Sequence, residues 1–308
     1  ILRRQSCVSE FSVRPTLVAR VCDILKSGTD IERILGRLRN RMARPREVGG
    51  LRTMLRGLPA LRETLLNEAK EAEAISLLAA GVVTFDPLRE LLEKALEEEL
   101  PAEIKVDVKG QGGAVISKGY DQDFDRLREM ATGGKRWITE LESSERESTG
   151  ISNLKVKYNG AFGYFIEVTK ANLHLVPEHY IRKQTMTNAE RFYTDELRQK
   201  EKEILNAEET AVAREQELFI EIVEKTLTYA DELLVVAQTL AEIDLFSSWG
   251  KICRERDYCM PEFLEDSTLL EIEQGRHPVV ELVLKKESLG LAGTHAFVPN
   301  DCNLSSEA

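Results

Sequence analysis

The side chains best suited to chemistry in this chain are cations and amides that recur between residues 155 and 188. The candidates for a binding site are Lys155, Lys157, Asn159, Arg182, Lys183, Thr187 and Asn188. Lysine and arginine neutralise phosphate charge, whereas threonine and asparagine donate neutral hydrogen bonds to phosphate oxygens. The pattern therefore favours binding to a phosphate backbone. An ordinary solvated face of a small sheet would have the same composition, and this second interpretation stays open.

The net charge of this segment is opposite to that of the rest of the chain. Between Asn153 and Tyr193, six basic residues stand against three acidic ones, a net charge of +3. The 308-residue chain carries −11, so the remainder carries −14. A locally basic surface on an acidic protein favours contact with a polyanion at that surface and repulsion elsewhere.

Alternating apolar and polar residues predict that the candidates are carried on a small antiparallel β sheet. One apolar face is predicted from the alternate residues Leu154, Val156, Tyr158, Tyr164, Ile166 and Val168. Asn159-Gly160 is typical of a tight hairpin turn, because such a turn needs positive backbone angles. A third extended run is predicted from Tyr180 to Tyr193.

Two long helices are predicted on either side of this sheet, from about Asp121 to Ser148 and from Asp195 to Arg256. Their apolar residues recur near heptad spacing, as in Phe124, Leu127, Ala131, Ile138 and Leu141 and in Leu197, Ile204, Ala211 and Leu218. Helices with such stripes can pack antiparallel as a lever. Gly133-Gly134 is expected to interrupt and soften the first helix, and a kink is expected between Thr226 and Tyr229.

The sequence KYNGAFGYFIEVTKANLHLVPEHYIRKQTMTNAERFYTDEL, residues 157–197, closely resembles the clamp segment of the bacterial MutS family of DNA mismatch-recognition proteins. The resemblance extends over residues 30–308, with a further match at ILRR, residues 1–4. It implies a β clamp that lies at the end of a helical lever and touches the DNA backbone without reading its sequence. On this resemblance Asn188 is a backbone contact, together with the six other candidates above.

Further expectations about the full-length protein follow from the same resemblance. Its partners would be double-stranded DNA, a second copy in a homodimer and a downstream mismatch-repair protein. It would be a DNA-dependent ATPase that uses ATP and magnesium in the bacterial cytoplasm, associated with the nucleoid. No cofactor is expected in this chain, because no GxxxxGK[ST] phosphate loop occurs in it, and it is not expected to hydrolyse ATP.

The N-terminal part is predicted to be helical, with residues 1–27 apolar enough for helix and further helices starting near Asp30, Pro45 and Asp86. Thr29 or Asp30 can cap the first of these helices, and Pro45 suits the first turn of the next. Gly57 and Pro59 are expected to end the second of these helices, and Pro101 the third. The change to a two-residue period predicts a short hairpin between Ile104 and Gly119.

The composition after Pro261 turns to β character, in Leu269 to Ile272, in GRHPVVELVL (residues 275–284) and in THAFVPNDCNL (residues 294–304). In the resembled family these are the first strands of the ATPase domain. The resemblance puts Phe297 where an aromatic ring stacks on adenine. An ordinary core position at a strand end would also explain Phe297, and that alternative stays open.

The predicted fold is mainly α, with a long antiparallel helical lever, an inserted antiparallel β clamp and the β-rich edge of an α/β ATPase domain at the C-terminus. The expected domains are residues 1–148 (helical core and lever), 149–192 (clamp), 193–262 (returning lever helix) and 263–308 (ATPase strands). The five cysteines include no Cys-x-x-Cys pair, which favours free thiols over disulfides or zinc. No apolar run approaches the length of a membrane span, so no membrane contact is expected.

Two classes of function remain at this stage. The first is a nucleic-acid-binding segment of a mismatch-repair ATPase, with non-specific backbone contact and lever coupling to the ATPase. The second is a structural helical hairpin whose β tip binds a protein partner. Salt separates them, because phosphate binding weakens with a slope of about 0.9 per neutralised phosphate on a log-log scale.

Overall fold

The computed structural model describes residues 1–68, 72–105, 113–160, 162–264, 268–288 and 297–305, apart from the side chains of residues 135 and 285–288. The chain divides into two units, Ile1–Asp257 and Tyr258–Ala308. The first unit contains α1 (Leu2–Ser12), α2 (Pro15–Leu25), α3 (Ile31–Arg39), α4 (Pro45–Glu68), α5 (Glu73–Ala80), α6 (Asp86–Ala95), α7 (Gln122–Thr149), β1 (Lys155–Asn159), β2 (Gly163–Thr169), a 3₁₀ helix (Lys170–Leu175), β3 (Ile181–Thr185), β4 (Ala189–Tyr193), α8 (Asp195–Leu227) and α9 (Ala230–Arg256). The second contains β5 (Leu270–Gly275), α10 (Pro278–Ser288) and β6 (Asn300–Leu304). The prediction of a mainly α fold with small antiparallel sheets is confirmed.

Side-chain caps fix the starts of three helices. The carboxylates of Asp30 and Asp121 and the hydroxyl of Thr194 accept hydrogen bonds from the backbone N–H groups of Arg33, Phe124 and Leu197, at 2.9, 2.8 and 3.1 Å. Each bond satisfies one of the four N–H groups that a helix start leaves without an intrahelical acceptor. The lever helices α7 and α8 therefore begin at defined residues beside the body and beside the sheet.

Helix α4 continues past the residues that were expected to end it. Pro59 lies inside the helix, which runs on to Glu68. Leu58, Leu61 and Leu65 are fully buried on either side of the proline. Burying leucine side chains contributes about 1.5–3 kcal/mol each, which outweighs the loss of one helical hydrogen bond at proline.

The lever helices α7 and α8 pack closely, and Gly134 is the reason for their close approach. Helix α7 is continuous through Gly133 and Gly134, so the expected interruption is wrong. A Cβ atom at Gly134 would collide with the side chain of Ile204 on α8. The glycine therefore costs helix propensity but lets the two helix backbones come together.

The expected kink in the returning helix is confirmed, because α8 ends at Leu227 and α9 begins at Ala230. Near the base of the lever, the buried carboxylate of Glu215 accepts hydrogen bonds from the N–H groups of Val115 and Ile116, at 2.6 and 3.1 Å. Ile116 also forms an isolated bridge with Leu96. Residues 106–112 of the hairpin predicted between 104 and 119 lie outside the described residues.

The clamp sheet, defined here as β1 to β4, has the strand order β1-β2-β4-β3 with antiparallel pairs throughout. The single run predicted from Tyr180 to Tyr193 is wrong, since it contains two strands separated by a turn at residues 186–188. The positive φ of the first hairpin lies at Gly163 (69°) rather than at Gly160. Asn159, the last residue of β1, pairs with Gly163, the first residue of β2.

The C-terminal unit contains a two-stranded antiparallel sheet, β5 with β6, and the helix α10. The β character expected for residues 275–284 is wrong from Pro278 onward, because α10 begins there. The Nδ1 atom of His277 lies 3.3 Å from the N–H of Val280, and its carbonyl accepts from the N–H of Glu281. Proline in the first turn and this capping outweigh the strand preference of the valines.

The described helices include none that is long and apolar enough to cross a bilayer. All five cysteines are free thiols, and Cys7 is fully buried in the helical core. That core is formed by α1 to α6, α9 and the basal part of α8, and it is separate from the smaller apolar cluster under the clamp sheet.

Candidate nucleic-acid interface

The clamp sheet has one face against the lever and one face turned away from it. Ile166, Val168 and Phe192 are buried with Ile138 of α7 and Ile204 of α8. Because side chains alternate along a strand, Lys155, Lys157 and Asn159 of β1 lie on the opposite, outer face. The alternation predicted for β1 is confirmed by its exposure pattern.

Hydrogen bonds from the lever fix the position of the sheet. The carboxylate of Glu142 accepts from the N–H of Val156 at 2.7 Å, and that of Glu201 accepts from the N–H of Tyr164 at 2.8 Å. The Tyr180 hydroxyl donates to Glu145 at 2.7 Å. Burial, together with this bond, raises the pKa of Tyr180 above its ordinary value. The outer face is therefore held by three polar links as well as by the apolar cluster.

A connected network of charges covers the outer face. The Lys157 ammonium lies 2.6 Å from a carboxylate oxygen of Glu167, and the other oxygen of Glu167 lies 3.8 Å from Nε of Arg191. Arg191 also donates to Gln184 at 2.8 Å, and its guanidinium lies 4.2 Å from the ring centroid of Phe165. Phe165 is thereby buried although it faces away from the lever.

Two adjacent predicted residues, Arg182 and Lys183, lie on opposite sides of the sheet. Lys183 donates to the carbonyl of Phe162 and lies 5.7 Å from the ring centroid of Tyr193 on the outer face. Arg182 pairs in register with the inward-facing Phe192, and its Nε lies 2.8 Å from the buried carboxylate of Glu190. Arg182 is therefore removed from the surface that carries the lysines.

Thr187 and Asn188 form an exposed polar end of the sheet, in the turn between β3 and β4. The Asn188 carbonyl accepts from the N–H of Lys170 at 3.2 Å, which ties this turn to the end of β2. Asn153 donates to Thr169 at 3.1 Å and accepts from Asn172 at 2.8 Å at the same end. These hydrogen bonds place exposed amide and hydroxyl groups beside Lys155 and Lys170.

The structure thus brings together six of the seven predicted residues, on the outer face and at its polar end, and places Arg182 elsewhere. Arg191 and Lys170 complete this basic surface although sequence reasoning did not select them as site residues. Strand pairing is the missing signal, since Arg191 lies directly opposite Glu167 in the β2 to β4 register. Glu167 is the one acidic side chain on the outer face among the described residues.

The C-terminal unit offers little geometry to support the nucleotide role predicted for Phe297. Its ring is half-buried just before β6, and residues 289–296, immediately before it, lie outside the described residues. The stacking of Phe297 on adenine stays a prediction. Within the described ranges, no group of three or more histidine, cysteine, aspartate or glutamate residues is placed to hold a metal ion.

Comparison with known proteins places this segment in a family. Residues 119–210 match the model of MutS family domain IV. The chain is 41% identical over 278 residues to the DNA mismatch repair protein MutS of Thermodesulfovibrio yellowstonii, covering 90% of this chain and 31% of that protein. It is 44% identical over 286 residues to MutS of Geobacillus kaustophilus, covering 92% and 30%. It is 40% identical over 305 residues to MutS of Listeria monocytogenes serovar 1/2a, covering 99% and 34%.

The similarity includes both the clamp sheet with its lever helices and the helices on either side of them. The chain spans about a third of the length of the curated relatives that it matches. Sequence identity near 40% over nine-tenths of the chain or more, together with the domain IV match, identifies the relationship. The chain belongs to the MutS family.

Proposed function

We propose that this chain supplies non-specific contact with the backbone of duplex DNA to a MutS-type mismatch-repair protein, through the outer face and polar end of the clamp sheet. The observation that carries the proposal is the convergence of Lys155, Lys157, Lys170, Lys183 and Arg191 on one face and end of a sheet with amide and hydroxyl donors. Such donors bind phosphate without reading bases.

The remaining features of the full-length protein are proposed on the family relationship. They are a homodimer, a downstream mismatch-repair partner, and an ATPase that uses ATP and magnesium. The lever helices would couple that ATPase to the clamp sheet, since α7 and α8 carry the sheet directly through Glu142, Glu145 and Glu201. Phe297 is proposed to stack on the adenine of the nucleotide.

The pairing of cations within the clamp sheet has a consequence for affinity. Lys157 is engaged by Glu167, and Lys183 by the Phe162 carbonyl. A phosphate must compete with these partners, so each engaged cation contributes less than an unpaired one. Weak, strongly salt-dependent binding is therefore expected from this chain at physiological salt.

The test is fluorescence anisotropy of a labelled 30-base-pair duplex titrated with the 308-residue chain at several low salt concentrations. Lys155→Gln/Lys170→Gln removes two exposed cations from the clamp sheet and its adjoining 3₁₀ helix. The matched control, Lys94→Gln/Lys251→Gln, removes the same charge from exposed positions on α6 and α9. The proposal expects the salt slope to fall by about 1–2 in the first variant and by less than half of that in the control.

Equal losses in both variants would show that only overall charge matters, and the proposal would then be wrong. The alternative function is a protein-binding tip, and one observation favours it: Phe162, Leu175, Ile181 and Met186 of the clamp region are exposed apolar residues. A protein partner that uses them would bind with little dependence on salt. Phe162→Ser/Met186→Ser would weaken such a partner and leave the DNA salt slope unchanged.

A further inference from the structure

A second strongly basic surface lies outside the clamp sheet, between Arg33 and Arg46. We name it the arginine loop, and it consists of α3 from Arg33 onward, the connection to α4 and the first turn of α4. Its cations are Arg33, Arg37, Arg39, Arg41, Arg44 and Arg46. Between residues 31 and 47 these six cations stand against two acidic residues, Glu32 and Glu47, so this stretch carries +4 in a chain of −11.

Polar contacts within the arginine loop hold its backbone in one conformation. The Arg37 guanidinium donates to the Met42 carbonyl at 2.7 Å and lies 2.6 Å from the carboxylate of Glu47. Glu47 also accepts from the N–H of Arg44 at 2.7 Å. Burial alone would raise the pKa of Glu47, but the hydrogen bonds from Arg44 and Arg37 hold it below its usual range. Glu47 therefore stays ionised and keeps the loop closed near neutral pH.

Three of the six arginines are engaged by the protein itself. Arg37 fixes the loop, Arg39 lies 2.9 Å from Asp231 of α9, and Arg46 donates to the Leu100 carbonyl at 3.0 Å. The other three, Arg33, Arg41 and Arg44, are exposed, and none of them forms an ion pair within 4.0 Å among the described residues. The charge of Arg44 nevertheless contributes to the lowered pKa of Glu47. Arg41 has a φ of 55°, which is uncommon for a residue other than glycine.

Three guanidinium groups without an ion pair among the described residues, two on the connection and one in the first turn of α3, have the chemistry of an anion site. A guanidinium presents its donors in a planar fork that matches phosphate bidentately. Among the described residues, no carboxylate in ion-pair contact has to be displaced from Arg33, Arg41 or Arg44 before a phosphate binds, unlike the situation of Lys157 in the clamp sheet. Glu47 attracts Arg44 only from beyond ion-pair distance. Each cation that neutralises a DNA phosphate releases condensed counterions, and this supplies the affinity.

We propose that the arginine loop is a second binding site for the phosphates of duplex DNA, contacted by Arg33, Arg41 and Arg44. The proposal rests on the proposed function for the identity of its ligand but not on the clamp sheet for its contacts. The competing occupant is an acidic protein surface, because arginine and methionine are enriched at protein interfaces and Met42 is 62% exposed. The phosphate is favoured because Met42 is the one large apolar side chain exposed among residues 33–46.

The experiment compares the unaltered 308-residue chain with Arg33→Gln/Arg41→Gln/Arg44→Gln on the labelled 30-base-pair duplex. None of the three side chains hydrogen-bonds to the part of the chain that the structure describes, so this variant keeps the contacts that Arg37 and Glu47 make. The matched control is Arg4→Gln/Arg62→Gln/Arg126→Gln, which removes three exposed arginines from α1, α4 and α7. A clamp variant, Lys155→Gln/Lys170→Gln, is measured in parallel.

The proposal expects the salt slope to fall by about 2–3 in the loop variant, and by less than 1 in the arginine control. A loop variant that binds as tightly as the unaltered chain, while the clamp variant is weakened, overturns this inference and leaves the proposed function standing. If the loop variant is weakened and the clamp variant binds as tightly as the unaltered chain, the result supports the arginine loop and shows that the clamp sheet is not the contact. No duplex binding by the unaltered chain, even at low salt, overturns both.

Two further probes identify the source of the anion. Inorganic phosphate and ATP are titrated as competitors, and the proposal expects millimolar concentrations to displace DNA no more than matched ionic strength does. Labelled poly-L-glutamate is the carboxylate probe. If the loop variant loses poly-L-glutamate but retains DNA, the arginine loop binds an acidic protein surface and the proposal is wrong.

Discussion

The clamp sheet and the arginine loop are two basic regions of one acidic chain, and they differ in what their cations do in the free protein. In the clamp sheet, Lys157 and Arg182 lie against Glu167 and Glu190. In the arginine loop, two of six arginines pair with carboxylates, Glu47 and Asp231, and three form no ion pair within 4.0 Å among the described residues. The sheet is closer to self-neutralised, whereas the loop keeps an excess of positive charge.

The difference shows that net charge is a poor guide to where a polyanion binds. Both regions are positive, but a cation that is already paired with a carboxylate must exchange that carboxylate for the phosphate. Its contribution to binding is therefore only the difference between the energies of the two ion pairs. For exposed pairs that difference is below about 1 kcal/mol. The regions also differ in how they are held, since the sheet depends on apolar packing against the lever helices, whereas the connection in the loop is held mainly by the local polar contacts of Arg37 and Glu47. Arg39 and Arg46 add links from the loop to Asp231 and Leu100.

The largest expected effect comes from the packing beneath the clamp sheet. Ile166→Ala removes a fully buried side chain from the apolar cluster between β2 and the lever helices. We expect a loss of about 2–4 kcal/mol in the stability of the clamp sheet, as for other large-to-small substitutions in cores. Hydrogen exchange should show faster exchange of β1 to β4 amides and unchanged exchange in the arginine loop.

The control for this substitution is Ile220→Ala at an exposed position of α8, 52% accessible, which should have little effect. Acceleration of exchange in the arginine loop to the same degree would mean that the two regions unfold as one unit. In that case the contrast between distant and local anchoring would be wrong.

Alkaline pH should also destabilise the clamp sheet and leave the arginine loop unchanged, as Ile166→Ala does. Burial, with smaller contributions from Glu208, Tyr158 and Glu201, raises the pKa of Tyr164 to about 12. A raised pKa in the folded state gives stability that is complete below the unfolded pKa near 10 and is lost as pH rises towards 12. Ultraviolet difference spectra and hydrogen exchange between pH 9 and 11.5 should show loosening of the clamp sheet. Tyr164→Phe should remove about half of this dependence, because the pKa of Tyr180 is also raised and Tyr180 acts in the same direction.

Much of the clamp sheet could be predicted from its sequence, and the errors have physical causes. Alternation identified β1 and β2 and the inward-facing residues of both strands, but it did not predict that Phe165 is buried on the outer face. The register between β2 and β4 is a non-local property, so neither Arg191 opposite Glu167 nor the inward position of Arg182 could be found by spacing. The turn at 186–188 was missed because the same Thr and Asn residues are compatible with two interpretations. They fit two strands with a turn between them, and they fit one continuous polar strand.

The helical part shows the limits of local rules in another way. Proline was expected to end α4 at Pro59 and glycine to interrupt α7 at Gly134, yet both helices continue. In each case tertiary packing decided the outcome, through the buried leucines around Pro59 and through Ile204 against Gly134. The six arginines of the arginine loop are evident in the sequence. Which three of them form no ion pair among the described residues became visible only in the structure.

A smaller effect is expected from the residue that fixes the arginine loop. Arg37→Ala removes the hydrogen bond to the Met42 carbonyl and the ion pair with Glu47. Both groups are partly exposed, so the expected loss is about 1 kcal/mol. Hydrogen exchange at residues 40–47 should accelerate, and the DNA salt slope should fall by more than the single missing charge explains.

The comparison for Arg37→Ala is Arg33→Ala, which removes an equal charge without a structural contact. If both variants lower the salt slope equally and leave exchange unchanged, the internal contacts of Arg37 are not what orders the loop. The proposed role of Arg33, Arg41 and Arg44 would then have to stand on charge alone, without a fixed geometry.

The smallest expected effect tests self-neutralisation in the clamp sheet directly. Glu167→Gln keeps the shape of the side chain but removes the carboxylate that lies between Lys157 and Arg191. Freed from this competitor, the two cations should bind duplex DNA about threefold more tightly at low salt, which corresponds to about 0.7 kcal/mol. Glu178→Gln is the matched control, since Glu178 is an exposed acid of the same region outside the outer face. Equal gains from both substitutions would mean that the ion pairs of the outer face do not restrain DNA binding, and the two basic regions would then differ only in number of charges.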